Sequence, residues 1–213
     1  MILSAVGLRK VFNRRVVFKE LSFEAESGQV LSITGPNGSG KSTVSKIICG
    51  VLTPTSGEVI LSNGEGKIDR EKVHMHVGMV SPYLELYGEF TALENLKLEI
   101  RARKLPKTAE DKALEILDRV GLFNRRNDEL KGFSSGMKQR LKYAAALVHE
   151  PDVLVLDEPT ANLDVAGTDM VFSIIEQYRK ERIVVLATND VDEAALGDVK
   201  VVLQRKLGES NGK

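Results

Sequence analysis

The sequence has one cysteine, no net charge and no long apolar run, and each of these shortages excludes something. Thirty basic residues cancel thirty acidic ones, so the excess positive field that draws nucleic acid or anionic lipid to a surface is missing. No nucleic-acid partner is expected, and any membrane association must run through another protein. No apolar stretch approaches the roughly 20 residues that cross a bilayer. The start, Met1-Ile2-Leu3-Ser4 followed by mixed sequence, lacks the charged head and cleavage pattern of a signal peptide. A cytoplasmic location is the expectation. Cys49 has no partner for an internal disulfide, and among Ile47, Ile48 and Val51 it reads as a small core thiol. Internal repeats and low-complexity linkers are lacking as well. The 42% hydrophobic content allows one compact unit, residues 1–213, rather than several.

What is present changes period along the chain. Short β-type runs at 2–6, 16–18, 21–26 and 30–34 predict a small antiparallel layer feeding a buried strand. A helix is expected over 41–49, ended at Gly50, then a hairpin around Asn63-Gly64-Glu65-Gly66. His74 and His76 alternate as on a strand and, with no third ligand in view, are assigned no metal. In the middle, 91–103 opens with Thr-x-x-Glu, 108–120 opens with Thr-x-x-Asp, and 135–149 has helical spacing. Residues 82–149 are therefore expected to form a helical subdomain. From Pro151 the β/α alternation returns, with a helix over 165–179. Residues 153–156 and 183–187 are wholly apolar, as in parallel strands covered on both faces. Residues 1–81 and 150–213 should then share one sheet of an α/β core, and the polar end, 205–213, reads as frayed.

Gly35-Pro36-Asn37-Gly38-Ser39-Gly40-Lys41-Ser42-Thr43 follows the apolar run 30–33 and opens a helix. That is the strand–loop–helix context a Gly-x-x-x-x-Gly-Lys-Ser/Thr loop requires. Its glycines let successive N–H groups point inward at phosphate oxygens, and the helix adds its unpaired N-terminal donors to the same anion. Lys41 should reach the β- and γ-phosphates, Ser42 should bind Mg²⁺ through a hard oxygen, and Thr43 should add a phosphate contact. The alternative, a Gly-rich turn before an ordinary helix, does not account for the whole pattern.

The apolar run 153–156 ends in Asp157-Glu158. In an open parallel sheet, ligands collect at the carboxyl ends of strands. Asp157 is expected to hold Mg²⁺ from behind its water shell, and Glu158 to deprotonate a water in line with the γ-phosphate. Solvated acids often sit where strands meet loops, so this reading rests on the phosphate cradle upstream.

With those residues in place, Phe133-Ser134-Ser135-Gly136-Met137-Lys138-Gln139-Arg140 resembles the Leu-Ser-Gly-Gly-Gln signature of ABC ATPases, although taken alone Ser134 reads as a helix cap. Ala161-Asn162-Leu163-Asp164 is similar to that family's dimer-contact segment. The resemblance covers nearly the whole chain. It implies a P-loop NTPase core of the ABC ATPase fold, with a mainly parallel sheet, an N-terminal antiparallel β layer and a helical insert. It further implies that ATP lies between one subunit's cradle and the Ser134, Ser135, Gly136 and Met137 of another. A head-to-tail homodimer, or a pair with a similar ATPase subunit, follows from that. Phe12 occupies the position of an adenine-stacking aromatic, with core packing as its alternative.

Two positions depart from the family. Pro82 stands where a glutamine normally contacts the metal and the attacking water, and proline offers no side-chain donor or acceptor. Asn189 stands where a histidine normally holds the γ-phosphate; it can donate a hydrogen bond but carries no charge. Slow hydrolysis is the expectation. The resemblance also implies an integral membrane permease seated on 82–90, which is rich in Tyr83, Leu84, Leu86, Tyr87 and Phe90, unless those side chains simply pack the insert. The subunit would then sit on the cytoplasmic face of the inner membrane through that permease. The signature variant resembles those of exporter subunits. A non-transport ABC ATPase, such as one serving iron–sulfur assembly, and a catalytically silent nucleotide switch are the alternatives.

Overall fold

A computed structural model describes residues 1–204. The expected fraying of 205–213 lies outside them. Strands β1 (Ile2–Phe12) and β2 (Arg15–Glu26) form an antiparallel hairpin closed at Phe12↔Arg15. Its two turn residues, Asn13 and Arg14, both have left-handed φ, 46° and 67°, the combination that matches the strands' own twist. The separate runs expected at 16–18 and 21–26 are one strand, because pairing along β1 carries the ladder across the polar Lys19-Glu20 interruption with a shift in register.

β3 (Val30–Thr34) leads into α1 (Lys41–Ile48), which ends beside Gly50 at φ 73°. β4 (Ser56–Asn63) and β5 (Gly66–Lys67) form the predicted second hairpin, completing a sheet of order β2-β1-β4-β5. His74 and His76 lie on a one-turn helix, α2 (Val73–His76), rather than on the expected strand, which begins only after them as β6 (Val77–Val80). Alternation over three residues was too short a window to separate the two periods.

Three helices follow: α3 (Ala92–Ala102), α4 (Ala109–Arg119) and α5 (Ser135–Leu147). Thr91 and Glu94 form a complete capping box at α3, at 3.1 and 2.8 Å. Thr108 does not cap α4 as its motif predicted; its backbone is already helical, which turns the hydroxyl away from the N–H it would accept.

β7 (Val153–Asp157), α6 (Val165–Tyr178), β8 (Ile183–Thr188), α7 (Val191–Ala195) and β9 (Val199–Val202) complete the chain. The second sheet is entirely parallel, with order β6-β7-β8-β3-β9. Alternate side chains supply two cores. Val80, Leu154, Leu156, Val184 and Leu186 pack with α3 to α6, while Val77, Val153, Val155, Ile183 and Val185 pack with α1 and the antiparallel layer. Burial on both faces is why these strands read as continuous apolar runs. It also fixes where their carboxyl ends lie, at Thr34, Val80, Asp157 and Thr188.

Candidate functional site

Those four strand ends are adjacent, and the loop after Thr34 lies across them. Its backbone could not be built without glycine at two places. At Gly40 (φ 106°) a Cβ would lie 2.6 Å from Val17 Cγ1, and at Gly35 (φ 146°) one would lie 2.3 Å from the Leu203 carbonyl oxygen. Gly40 is the N-cap of α1 and supplies no side-chain cap, so the first N–H groups of the helix remain available to an anion. Ser39 Oγ is buried without a hydrogen-bond partner among the described residues, an orphaned donor facing the same need. Lys41, 5% exposed, donates from Nζ to the Gly35 carbonyl at 2.8 Å and the Pro36 carbonyl at 3.5 Å. A buried ammonium held only by neutral carbonyls gains more from a phosphate oxygen. The cradle therefore fits a nucleotide's phosphates.

Asp157 ends β7 with no exposed surface. Ser42 Oγ donates to its Oδ1 at 3.0 Å and Ser81 Oγ to its Oδ2 at 3.1 Å. Burial pushes this carboxyl above its ordinary value, opposed by the two hydroxyl bonds and by the charges of Lys46 and Lys41. Two hydroxyls gathered at one buried carboxyl form a donor set suited to a hard divalent cation.

Glu158, the next residue, has φ 50° and is half-buried. A left-handed non-glycine backbone costs about 1–3 kcal/mol and concentrates at functional sites. Here it is held by the Glu158 N–H to the Ala187 carbonyl at 2.9 Å and by the Ala161 N–H to the Glu158 carbonyl at 3.2 Å. The two acids thus diverge, Asp157 inward and Glu158 toward the partly open surface. Parallel pairing of β3 with β8 aligns Thr34 with Thr188 and brings Asn189 to the cradle, where its Nδ2 donates to Asn37 Oδ1 at 3.2 Å.

The second predicted cluster stands apart. Ser134 caps α5 by accepting from the Met137 N–H at 3.2 Å, and both Ser134 and Ser135 are exposed. A Cβ on Gly136 would lie 3.4 Å from the Asn162 carbonyl, so the signature-like turn rests on the 161–164 segment. Arg140 Nη2 bonds Asp164 Oδ1 at 2.8 Å, and the same oxygen accepts from the Gly167 N–H at 2.8 Å. Among the described residues no hydrogen bond joins Ser134 to Met137 with the cradle, so the two predicted clusters are separate within one chain. Phe12 is 46% exposed at the hairpin tip, with Lys10 Nζ 4.6 Å from its ring centre, and is not a core residue. Tyr83, Tyr87 and Phe90 are exposed too, with the Tyr87 and Phe90 rings stacked at 5.4 Å.

Two residues at the centre escaped the sequence reading. Ser81 reaches Asp157 only because β6 pairs with β7 in the register Val80↔Leu156. Lys142 Nζ crosses from α5 to the carbonyls of Ser81 and Pro82, at 3.2 and 3.1 Å. The Ser81 signal was available as a polar residue directly after a buried strand; nothing in the sequence pointed to Lys142.

Residues 18–161 match the sequence profile of a family described as ABC transporter. The uncharacterized ABC transporter ATP-binding protein YdbJ of Bacillus subtilis is 39% identical over 166 residues, 78% of this chain and 53% of that protein. The chain thus spans about half the length of that relative. The lipoprotein-releasing system ATP-binding protein LolD of Treponema denticola is 34% identical over 213 residues, 93% of each chain. Among solved structures, a dimeric ATP-binding cassette in a post-hydrolysis state bound to ADP and Pi superposes with a TM-score of 0.84 at 26% identity, covering 96% of both chains.

Proposed function

We infer, from the premise that this chain belongs to the ABC transporter family, that it binds and hydrolyses ATP to drive a separate membrane permease that exports its cargo. The single observation that carries the reading is the buried Asp157 carboxylate bonded to Ser42 at the mouth of a glycine-built cradle, with Glu158 turned outward beside it. Residues 82–149 act as a helical subdomain on the nucleotide-binding core.

In this reading Lys41 exchanges the Gly35 and Pro36 carbonyls for β- and γ-phosphate oxygens, while the N–H groups opening α1 hold the same anion. Phe12 stacks on the adenine from the hairpin tip. Ser42 and Asp157 would hold Mg²⁺, which when bound would neutralise charge on the transferring phosphoryl group. Glu158 takes a proton from a water whose oxygen forms the new bond to the γ-phosphorus. The bond from that phosphorus to the β–γ bridging oxygen breaks, its electron pair staying on ADP, and inorganic phosphate is the second product. Asn189 orients the γ-phosphate with a neutral hydrogen bond. The exposed Ser134 and Ser135 complete the site of a second copy or of a similar subunit packed head to tail, which closes on ATP and loosens after hydrolysis.

The exposed aromatic surface at Tyr83, Tyr87 and Phe90 receives the permease, which holds the subunit at the cytoplasmic face of the inner membrane. The LolD relative, whose name places it in a lipoprotein-releasing system, supports export over iron–sulfur assembly or another non-transport role. Glu158→Gln tests the chemistry. ATP hydrolysis should fall by about 10²–10⁴-fold while ATP stays bound and a dimer accumulates; unchanged turnover removes Glu158 from its role. Membrane fractionation with co-purification tests the partner, and recovery only with soluble proteins rejects the permease.

A further inference from the structure

Two hydroxyls from different parts of the fold converge on one carboxylate. Ser42 approaches Asp157 from the first turn of α1, and Ser81 approaches from the end of β6, one on each oxygen. Ser81 is 2% exposed and Asp157 is fully buried. Among the described residues these two hydroxyls are the carboxylate's side-chain hydrogen-bond donors. The nearby lysines are engaged elsewhere, Lys41 with loop carbonyls and Lys46 over the Tyr83 ring at 5.1 Å. The acid's direct partners are neutral hydroxyls, and Lys46 and Lys41 act on it only through space, so it keeps charge that a bound cation can compensate.

A serine hydroxyl has one proton and two lone pairs. With the proton committed to Asp157, both lone pairs of Ser42 face away from the carboxylate. Ser81 spends one on the Tyr83 N–H, at the long distance of 3.4 Å, and keeps the other. The next residue, Pro82, has neither an N–H nor a polar side chain, so Ser81 is the segment's one polar side chain against the acid. Its backbone is fixed on two sides, by the β6–β7 ladder and by Lys142 on the Ser81 and Pro82 carbonyls.

We propose that Ser81 is a second hydroxyl ligand of the divalent-cation site formed by Ser42 and Asp157. The proposal rests on the nucleotide-binding reading above. It makes the cation site a three-element site, drawn from α1, β6 and β7, and it links that site through Lys142 to the helix that opens at Ser134.

The test is a titration of the full chain with a fluorescent ATP analogue over a range of Mg²⁺ concentrations and in EDTA, comparing Ser81→Ala, Ser81→Thr and Ser81→Cys with the parent. Ser81→Ala should raise the half-saturating Mg²⁺ concentration about tenfold and leave binding in EDTA unchanged, while Ser81→Thr restores the parent value. Ser81→Cys, close in size and safe for folding, should shift the metal preference from Mg²⁺ toward Mn²⁺ and Cd²⁺, because sulfur is the softer ligand. A hydroxyl that merely satisfies a buried acid would not change which metal works. If the parent responds to Mg²⁺ and Ser81→Ala responds equally, or if Ser81→Cys keeps the parent's preference, Ser81 is not a ligand. If the parent shows no Mg²⁺ dependence at all, the cation site itself falls, and Ser81 with it.

Discussion

Asn189 Nδ2 donates to Asn37 Oδ1 at 3.2 Å, a bond between residues 152 apart in sequence. It joins the segment after β8 directly to the glycine-rich loop after β3, and it exists because β8 lies beside β3 in register. The bond is neutral and exposed, so it can be exchanged at little cost.

Substituting a chargeable donor there should speed hydrolysis. A charge-assisted bond is roughly twice as strong as a neutral one, and a gain of about 1 kcal/mol in the transition state is about fivefold in rate. Asn189→His should therefore raise kcat for ATP by about that factor, most clearly below pH 6.5, where free imidazole protonates. Steady-state phosphate release measures it, and a kcat that falls would show that the neutral amide is the better fit.

Lys41→Ala addresses binding rather than turnover. Removing an ammonium that makes hydrogen bonds to charged oxygens costs about 1.5–3 kcal/mol, or about 10–150-fold in nucleotide affinity. Equilibrium binding of ATP reads this directly. The variant should still fold, since Lys41 gives up only two carbonyl contacts in the absence of nucleotide. An affinity equal to the parent's would remove the cradle from the mechanism.

His149 sets a pH dependence of stability that is independent of the nucleotide site. Its Nε2 bonds the Val77 carbonyl at 3.2 Å, while Nδ1 is buried with no partner among the described residues. Burial, and next the positive charge of Arg103, depress this imidazole to about 4. Between the ordinary value of 6.5 and about 4 the unfolded chain binds the proton more readily than the folded one. Stability present above pH 6.5 is therefore lost as the pH falls through that window, by on the order of 3 kcal/mol in full. Urea denaturation at intervals from pH 7 to 4 should show the loss, and His149→Gln, which keeps a donor for Val77, should flatten it. A parent curve that is already flat would place the proton elsewhere.

Much of this protein is written in local pattern. The cradle residues 35–43, the acid pair closing β7, the Thr91–Glu94 cap and the apolar runs 153–156 and 183–187 could all be read from the sequence. Each depends on neighbours within a few residues, whether glycines a loop needs, side chains a turn brings together, or a run covered on both faces. Three-residue alternation at His74 and His76, and a capping motif at Thr108 without the backbone to use it, were too short to be decisive.

What only the tertiary structure decided are the relationships between segments. The order β6-β7-β8-β3-β9 places Ser81 against Asp157 and Asn189 against Asn37, and no local pattern records which strands are neighbours. The left-handed backbone of Glu158 belongs to the same class, because its amide is anchored on a carbonyl of β8. Sequence determined which chemical groups are available and where each strand ends. Sheet pairing, which couples residues through hydrogen bonds between distant strands, determined which of those groups meet.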